Sequence, residues 1–495
     1  MKLSELVDVL HVKEWSNPSD RQITGIETDS RKVKQGNLFI ALRGFTVDGH
    51  DYIQTAVENG AVAVLVEESV ETTVPVIRVP DTRRAMGFLA NTFYQFPSRQ
   101  LKLIGITGTN GKTTTSHLIE QILTSVGRET GIIGTIGVKI KDNVIPVKNT
   151  TPDVVDLQKS LRYMVDEGAE YTVMEVSSHA LHLGRTRGSH YHIAVFTNLT
   201  QDHLDYHETM EQYREAKGLL FSQLGNDYTH EKEKSQVAVL NVDDAASSYF
   251  ATITPAQVIT YGISKQADVR AVNIEHRVDG VSFELHTYQG NVSIRLPLFG
   301  TFNVYNSLAA ASVALVEGIS LAKIKQALES LTGVDGRFES VQAGQDYTVL
   351  VDYAHTPDSL QNVLTTAKSF AKGKVICVVG CGGDRDRGKR PLMAKIATEI
   401  SDYAVITSDN PRTEEPKAII ADMVEGIPFS ATQFYTTIED RKAAIEYAVQ
   451  LAKTGDVVLI AGKGHETYQE INGVRYPFDD RKIAYEAIKG EQHGT

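Results

Sequence analysis

Cysteine is nearly absent from this chain: among 495 residues there are two, Cys377 and Cys381. One close pair cannot build a disulfide framework, and a structural metal site usually takes three or four ligands, so neither is expected and a reducing cytoplasm fits. Long apolar runs are missing as well. No stretch reaches the roughly eighteen apolar residues of a membrane span, so no membrane insertion is expected. The opening residues, MKLSELVDVLHVKEW, carry charges every few positions where a signal peptide would have its apolar core. Positive charge is in deficit. The formal net charge of -12 excludes a general binder of nucleic acid or of anionic membrane surfaces, and an anionic small substrate would need a locally basic pocket. Internal repeats and low-complexity tracts are also lacking.

What is present is an ordinary soluble composition, 41% hydrophobic and 23% charged. At about 150 residues per domain the length predicts three domains. Composition shifts place them at 1–98, 99–335 and 336–495, with the first boundary in Gln95-Phe96-Pro97-Ser98-Arg99. In the first, Gly36 and Gly44 frame an apolar strand over 38–42, and 62–66 reads as another, which makes a small α/β unit. The middle segment has strands at 101–106, 171–176, 193–196 and 237–240, and a helix with Leu118, Ile119, Ile122, Leu123 and Val126 on one face. The last has strands at 348–351, 375–379, 403–406 and 457–460, each ending in a polar or glycine-rich turn. Strands apolar throughout that alternate with helices predict an α/β chain with mostly parallel sheets covered on both faces, a central phosphate-loop domain and a Rossmann-like C-terminal domain. Ligands of such sheets bind at strand C-terminal ends.

Residues 107–114, Thr-Gly-Thr-Asn-Gly-Lys-Thr-Thr, lie between a strand and a helix. Backbone N–H groups of such a loop point at phosphate oxygens, and the helix N-terminus adds positive potential. Lys112 then reaches the β- and γ-phosphates and Thr113 holds Mg²⁺. The strict pattern asks for glycine where this chain has Ile106. Glu175 ends a strand, where a carboxylate can meet phosphate-bound Mg²⁺. His203 and His207 have the spacing of a zinc pair, but Leu204 stands where a zinc hydrolase carries its glutamate.

Nine motifs in order resemble the Mur ligase family over nearly the whole chain: T-G-T-N-G-K-T-T at 107–114, M-E-V-S-S-H at 174–179, T-N-L-T-Q-D-H-L-D-Y-H at 197–207, Y-R-E-A-K at 213–217, F-N-V-Y-N at 302–306, G-R-F-E at 336–339, D-Y-A-H-T-P at 352–357, D-N-P-R at 409–412 and G-K-G-H-E at 462–466. The family has its own form of the loop, which accounts for Ile106. The resemblance implies a monomeric cytoplasmic ligase that uses ATP and Mg²⁺ to add meso-diaminopimelate to UDP-N-acetylmuramoyl-L-alanyl-D-glutamate in cell-wall synthesis. It assigns ATP to Gly108, Thr109, Asn110, Gly111, Lys112, Thr113, Thr114, Asn303, Asn306, Arg337 and Asp352. The catalytic set is Lys112, Glu175, His203 and Lys217. Thr113 and Glu175 hold one Mg²⁺; His203 helps hold a second, with Lys217 carrying a carboxyl group from CO₂. From the residues alone, Lys217 also reads as a solvated helix lysine, and Asn303 and Asn306 as helix N-caps.

On the acceptor side the resemblance implies Thr28, Ser30 and Thr46 for the uridine part, and Asn149, Thr150, Thr151, Ser177 and Arg185 for the muramoyl dipeptide; each also reads as a turn or cap residue. On the amino-acid side it implies Arg385, Asp409, Asn410, Pro411, Arg412, Gly462 and Glu466. The planar fork of Arg412 can hold the distal carboxylate that diaminopimelate has and lysine lacks. Three alternatives stay open at this point: the lysine-adding ligase of the same step, a folylpolyglutamate-synthase-like ligase, and a nucleotide-gated binding protein without turnover.

Overall fold

A computed structural model describes residues 1–44, 47–147, 149–229, 231–277, 279–331, 333–431 and 433–493. The chain forms two compact units, one of Met1–Gly105, Gly127–Ala194 and Asp227–Gln236, the other of Ile106–Val126, Val195–Asn226 and Val237–Thr495.

In the first unit, strands Glu14–Ser16, Val76–Arg78, Ala61–Val66, Asn37–Ile40 and Gly25–Glu27 lie side by side in that order. All neighbours are parallel except the first pair. The period-2 geometry of a strand explains why these runs are apolar throughout. Leu38, Ile40, Ala63 and Leu65 face a core shared with the helix Thr82–Phe93, with Val154 and with Val155, while Phe39, Val64 and Val66 face Ile53 and Ala56. Further along, Thr130–Gly134 pairs in parallel with Tyr171–Glu175 and antiparallel with Gly137–Ile140, which pairs antiparallel with Asn143–Ile145.

In the second unit, Val237–Asn241 and Gln257–Gly262 are parallel, followed by Val269–Arg277, Gly280–Thr287 and Gly290–Leu296 as an antiparallel meander. The middle of the chain is therefore less uniformly parallel than its strand composition predicts. In the first and last meander strands no two neighbouring residues are both buried, so no continuous apolar run marks them.

The last sheet has the order Glu339–Val341, Thr348–Asp352, Val457–Ala461, Val375–Cys381, Tyr403–Ser408 and Tyr435–Thr437, parallel except at its first strand. Val375, Cys377, Val379 and Cys381 point into the core on one face, Ile376 and Val378 into the core on the other. Both cysteines are buried and free, and burial pushes each thiol up to about 12, so neither is a nucleophile. The late strand Val457–Ala461 inserts between Thr348–Asp352 and Val375–Cys381. Asp352, Gly462 and the Gly382-Gly383 turn stand at the C-terminal ends of these strands, beside that switch in strand order.

Candidate active site

The loop 107–111 joins the strand Lys102–Thr107 to the helix Lys112–Ser125. Its backbone is built for glycine at two points. Gly108 has φ 151° and a Cβ there would sit 1.8 Å from Thr197 Oγ1; Gly111 has φ 84° and a Cβ there would sit 2.4 Å from Asn306 Oδ1. The segment after the strand Tyr191–Phe196 splints the loop. Thr109 N donates to Asn198 O (2.8 Å), Asn110 N to Asn198 Oδ1 (2.9 Å), and Thr197 Oγ1 to Asn110 O (2.7 Å). Lys112 folds back, its Nζ donating to Gly108 O (2.9 Å) and Thr109 O (2.8 Å). Thr114 is buried in the first turn. Thr113 Oγ1 accepts from an Arg337 guanidinium nitrogen at 2.9 Å, so its lone pair already faces a cation.

Lys217 is 1% exposed, on the inner face of the helix Met210–Ser222. This overturns the solvated-lysine alternative. Its Nζ donates to Gly108 O at 2.9 Å and lies 4.4 Å from the Tyr213 ring centroid. Burial, reinforced by the charge of Lys112, holds the ammonium well below its usual range. His203 has φ 56° and its Nε2 stands 3.3 Å from Asp202 Oδ2. Asp202 is buried between this imidazole, Lys389 Nζ at 3.3 Å and His355 Nε2 at 3.8 Å. Burial raises its pKa, but the Lys389 charge, the two imidazoles and the His203 backbone N–H outweigh burial and hold it low. His207 is buried and packs on Tyr213 at 5.2 Å.

Asn303 and Asn306 lie inside the helix Thr301–Val316, whose N-cap is Gly300, so they are not its caps. Asn306 Nδ2 donates to Asn303 Oδ1 (3.0 Å), and Asn306 Oδ1 accepts from Thr115 Oγ1 (3.3 Å). Arg337 stacks over the Tyr353 ring at 4.6 Å. Phe338 N donates to Asp352 Oδ2 at 2.7 Å. Burial pushes the Asp352 carboxyl up to about 6 against the pull of Arg337.

The amino-acid-side residues gather at the strand ends of the last sheet. Arg412 Nη1 donates to Gly383 O (2.7 Å) and Arg385 Nη1 to Asp384 O (2.8 Å). Burial and the neighbouring Arg412 charge push Arg385 below its usual range. Asp409 accepts from Asn410 N. Burial acts to raise it, and Lys463 and Arg441 overcome this, holding it ionised. Asn410 is committed internally: Nδ2 donates to Glu466 Oε2 (2.8 Å), and Oδ1 accepts from Lys463 Nζ (2.9 Å) and Glu470 N (2.9 Å). Pro411 bridges Asn410 and Arg412, and Gly462 has φ 118°.

In the first unit, Glu175 is buried at the end of its strand and accepts from Thr135 N and Oγ1, both at 3.0 Å. Around it the structure brings together Thr150, Thr151, Ser177 and Arg185. Thr151 Oγ1 donates to Glu175 O (2.9 Å) and accepts from Ser177 N (3.0 Å). Thr150 Oγ1 is 3.2 Å from Thr135 Oγ1, and Arg185 Nη1 donates to Thr151 O (3.2 Å). Asn149 is in the bend just before. Ser177 also caps the helix Ser178–His182. Thr28 and Ser30 follow the edge strand Gly25–Glu27 of the five-stranded sheet, Ser30 in a turn whose N-cap is Asp29. Thr46 lies outside the described residues.

Sequence reasoning gives no individual role to Thr197, Asn198, Asp202 and His355, which lie within two of the motifs, and does not reach Lys389 at all. Lys389 and Asp202 are far apart in the chain and no local pattern links them. For Thr197 and Asn198 a signal existed: a polar run straight after a buried strand has side chains free to serve a neighbouring loop.

A family model described as Mur ligase middle domain matches residues 106–314, one described as Mur ligase, glutamate ligase domain, matches 336–464, and one described as Mur ligase family, catalytic domain, matches 22–94. The UDP-N-acetylmuramoyl-L-alanyl-D-glutamate–2,6-diaminopimelate ligase of Bacillus licheniformis is 55% identical over 489 residues, 99% of each chain. A solved structure of a ligase of that same name is 37% identical, has a TM-score of 0.68 and covers 100% of both chains. A folylpolyglutamate synthase of Mycobacterium tuberculosis, 20% identical with a TM-score of 0.62, covers 75% of this chain and 91% of its own; it shares the fold alone.

Proposed function

We propose, from the premise that this chain belongs to the Mur ligase family, that it joins meso-diaminopimelate to UDP-N-acetylmuramoyl-L-alanyl-D-glutamate at the expense of ATP. The fold carries no membrane-spanning helix among the described residues, and the reaction is assigned to the cytoplasm, where ATP is made. Residues 1–98 are assigned to the uridine end of the acceptor, 99–335 to ATP, and 336–495 to the amino acid. The observation that carries the reading is Lys217, a buried amine hydrogen-bonded to the phosphate loop itself. A protein that only bound nucleotide would gain nothing from the desolvation of that charge.

A carboxylate is a poor acyl donor because its oxygen leaves badly. Transfer of the γ-phosphoryl group to the γ-carboxylate of the D-glutamyl residue makes an acyl phosphate; the amine then attacks the acyl carbon and phosphate departs with its electron pair. Lys112, released from the loop carbonyls it now serves, offsets charge on the β- and γ-phosphates. Arg337, released from Thr113, turns to the same phosphates. A hydroxyl, a carboxylate, an imidazole and a carbamate form a mainly hard-oxygen donor set that suits Mg²⁺. Thr113 and Glu175 would hold one such ion, and His203 with carbamylated Lys217 would help hold a second; when bound they supply positive charge against the triphosphate. Asn303 and Asn306 are assigned to the adenine side and Asp352 to the ribose. Thr150, Thr151, Ser177 and Arg185 are assigned to the dipeptide, with Thr28 and Ser30 on the uridine.

The direct test is phosphate release with the UDP-dipeptide and a panel of amino acids. Stimulation by meso-diaminopimelate is expected. Equal stimulation by L-lysine, or release driven by a folate in place of the UDP-dipeptide, would overturn the assignment. The raised Asp352 adds a pH prediction. The folded carboxyl keeps its proton up to about pH 6, so the ionised form that accepts ribose hydroxyls is lost as pH falls through that value. An acid limb in kcat/KM for ATP near pH 6 is expected, and Asp352→Asn should abolish that limb. An unchanged limb in the variant would assign it to another group.

A further inference from the structure

Arg412 sits in the left-handed region, with φ 52°. For a residue with a Cβ this conformation is disfavoured by the clash with the following carbonyl oxygen, so neighbouring structure must hold it. The hold comes from one element. Strands Tyr468–Ile471 and Val474–Pro477 form an antiparallel hairpin closed by Asn472-Gly473, at φ 49° and 76°, the signature of a tight two-residue turn. The inner strand runs beside 409–412 as if it were a third strand. Gln469 Nε2 donates to Asp409 O (2.7 Å), Glu470 N to Asn410 Oδ1 (2.9 Å), Arg412 N to Glu470 O (3.0 Å) and Asn472 N to Arg412 O (2.7 Å). Both backbone groups of Arg412 are thus satisfied by the hairpin. Its outer strand is exposed along its whole length. An isolated hairpin of this kind is marginal in water, so core burial does not explain it.

We propose that the hairpin 468–477 is a specificity-positioning element: it fixes the left-handed backbone at Arg412 and so aims the guanidinium toward Gly383 and Arg385, where the distal carboxylate of the amino-acid substrate would bind. This rests on the reading of Arg412 given above. The backbone dihedrals at 412 set the Cβ direction. A relaxed residue would swing the guanidinium away and leave two arginines unable to share one carboxylate. Asn472 and Glu470 act through the backbone of Arg412, and Gln469 through that of Asp409 three residues before it; none need touch the substrate.

The test compares four variants of the full chain by steady-state kinetics for meso-diaminopimelate, L-lysine, ATP and the UDP-dipeptide. Asn472→Pro cannot adopt the positive φ and lacks the N–H that serves Arg412. It should raise KM for diaminopimelate about tenfold and narrow its preference over lysine, with kcat and the other KM values within about twofold. Asn472→Gly keeps the turn and should match the unaltered protein. Should Asn472→Pro unfold, Gln469→Ala removes one strap bond without touching the backbone; a rise of about threefold in the same KM at unchanged Tm is then expected. Unchanged KM for diaminopimelate in Gln469→Ala and in a folded Asn472→Pro, or an equal rise for all substrates, overturns the inference. Arg412→Ala separates the two levels. If it leaves discrimination intact, the reading of Arg412 itself falls; if it destroys discrimination while the hairpin variants keep it, only the hairpin's role falls.

Discussion

Lys217→Ala should lower kcat by about a thousandfold, equivalent to roughly 4 kcal/mol of lost transition-state stabilisation, and a short carboxylic acid should restore part of it. A lysine 1% exposed, with Lys112 adding positive charge nearby, is driven toward its neutral amine. That amine is the form that attacks CO₂: a C–N bond forms, one proton leaves, and an anion replaces the neutral amine. The carbamate has the opposite charge to Lys112 and offers an oxygen ligand where an ammonium could not serve. Alanine leaves both the charge and the volume unfilled, and a small carboxylate can enter the space. Lys217→Met fills the volume without the charge and should be equally inactive but not rescued. Activity within about tenfold of the unaltered protein, with no response to added carboxylate, would end the carbamate assignment.

The second large effect is expected at Arg412. Arg412→Ala should lower kcat/KM for meso-diaminopimelate about a hundredfold, close to 2.7 kcal/mol, while KM for ATP moves by less than about twofold. Two charge-assisted hydrogen bonds at roughly 1.5–3 kcal/mol each set the upper bound, and Arg385 retains part of the carboxylate's binding. Arg412→Lys keeps the charge but loses the planar fork, so about a tenfold loss is expected. Competition between diaminopimelate and lysine is the sharpest readout, because lysine has no distal carboxylate to lose. Undiminished preference for diaminopimelate in Arg412→Ala would place the selectivity elsewhere.

Several elements were legible before the structure. Strands such as Val375–Cys381 are buried on both faces, so every residue is apolar and the run stands out. The phosphate loop was legible because its glycines answer a local backbone demand, the positive φ at 108 and 111. Strands over 269–296 leave no apolar run in the sequence, because exposed residues interrupt the pattern. Asn303 and Asn306 read equally well as caps, and only their place after Gly300 inside the helix removed that option.

Local chemistry, then, is what the amino-acid order determined alone: which runs form strands, where a triphosphate loop must turn, and which residue types could bind an acid, an amine or a metal. Tertiary structure decided the rest. It buried Lys217 against Gly108, gathered Lys389, His355 and His203 around Asp202, and strapped a hairpin along Arg412. The physical reason is common to all three. Desolvation, charge coupling and backbone strain depend on which distant groups share a volume, and a linear sequence carries no measure of that distance.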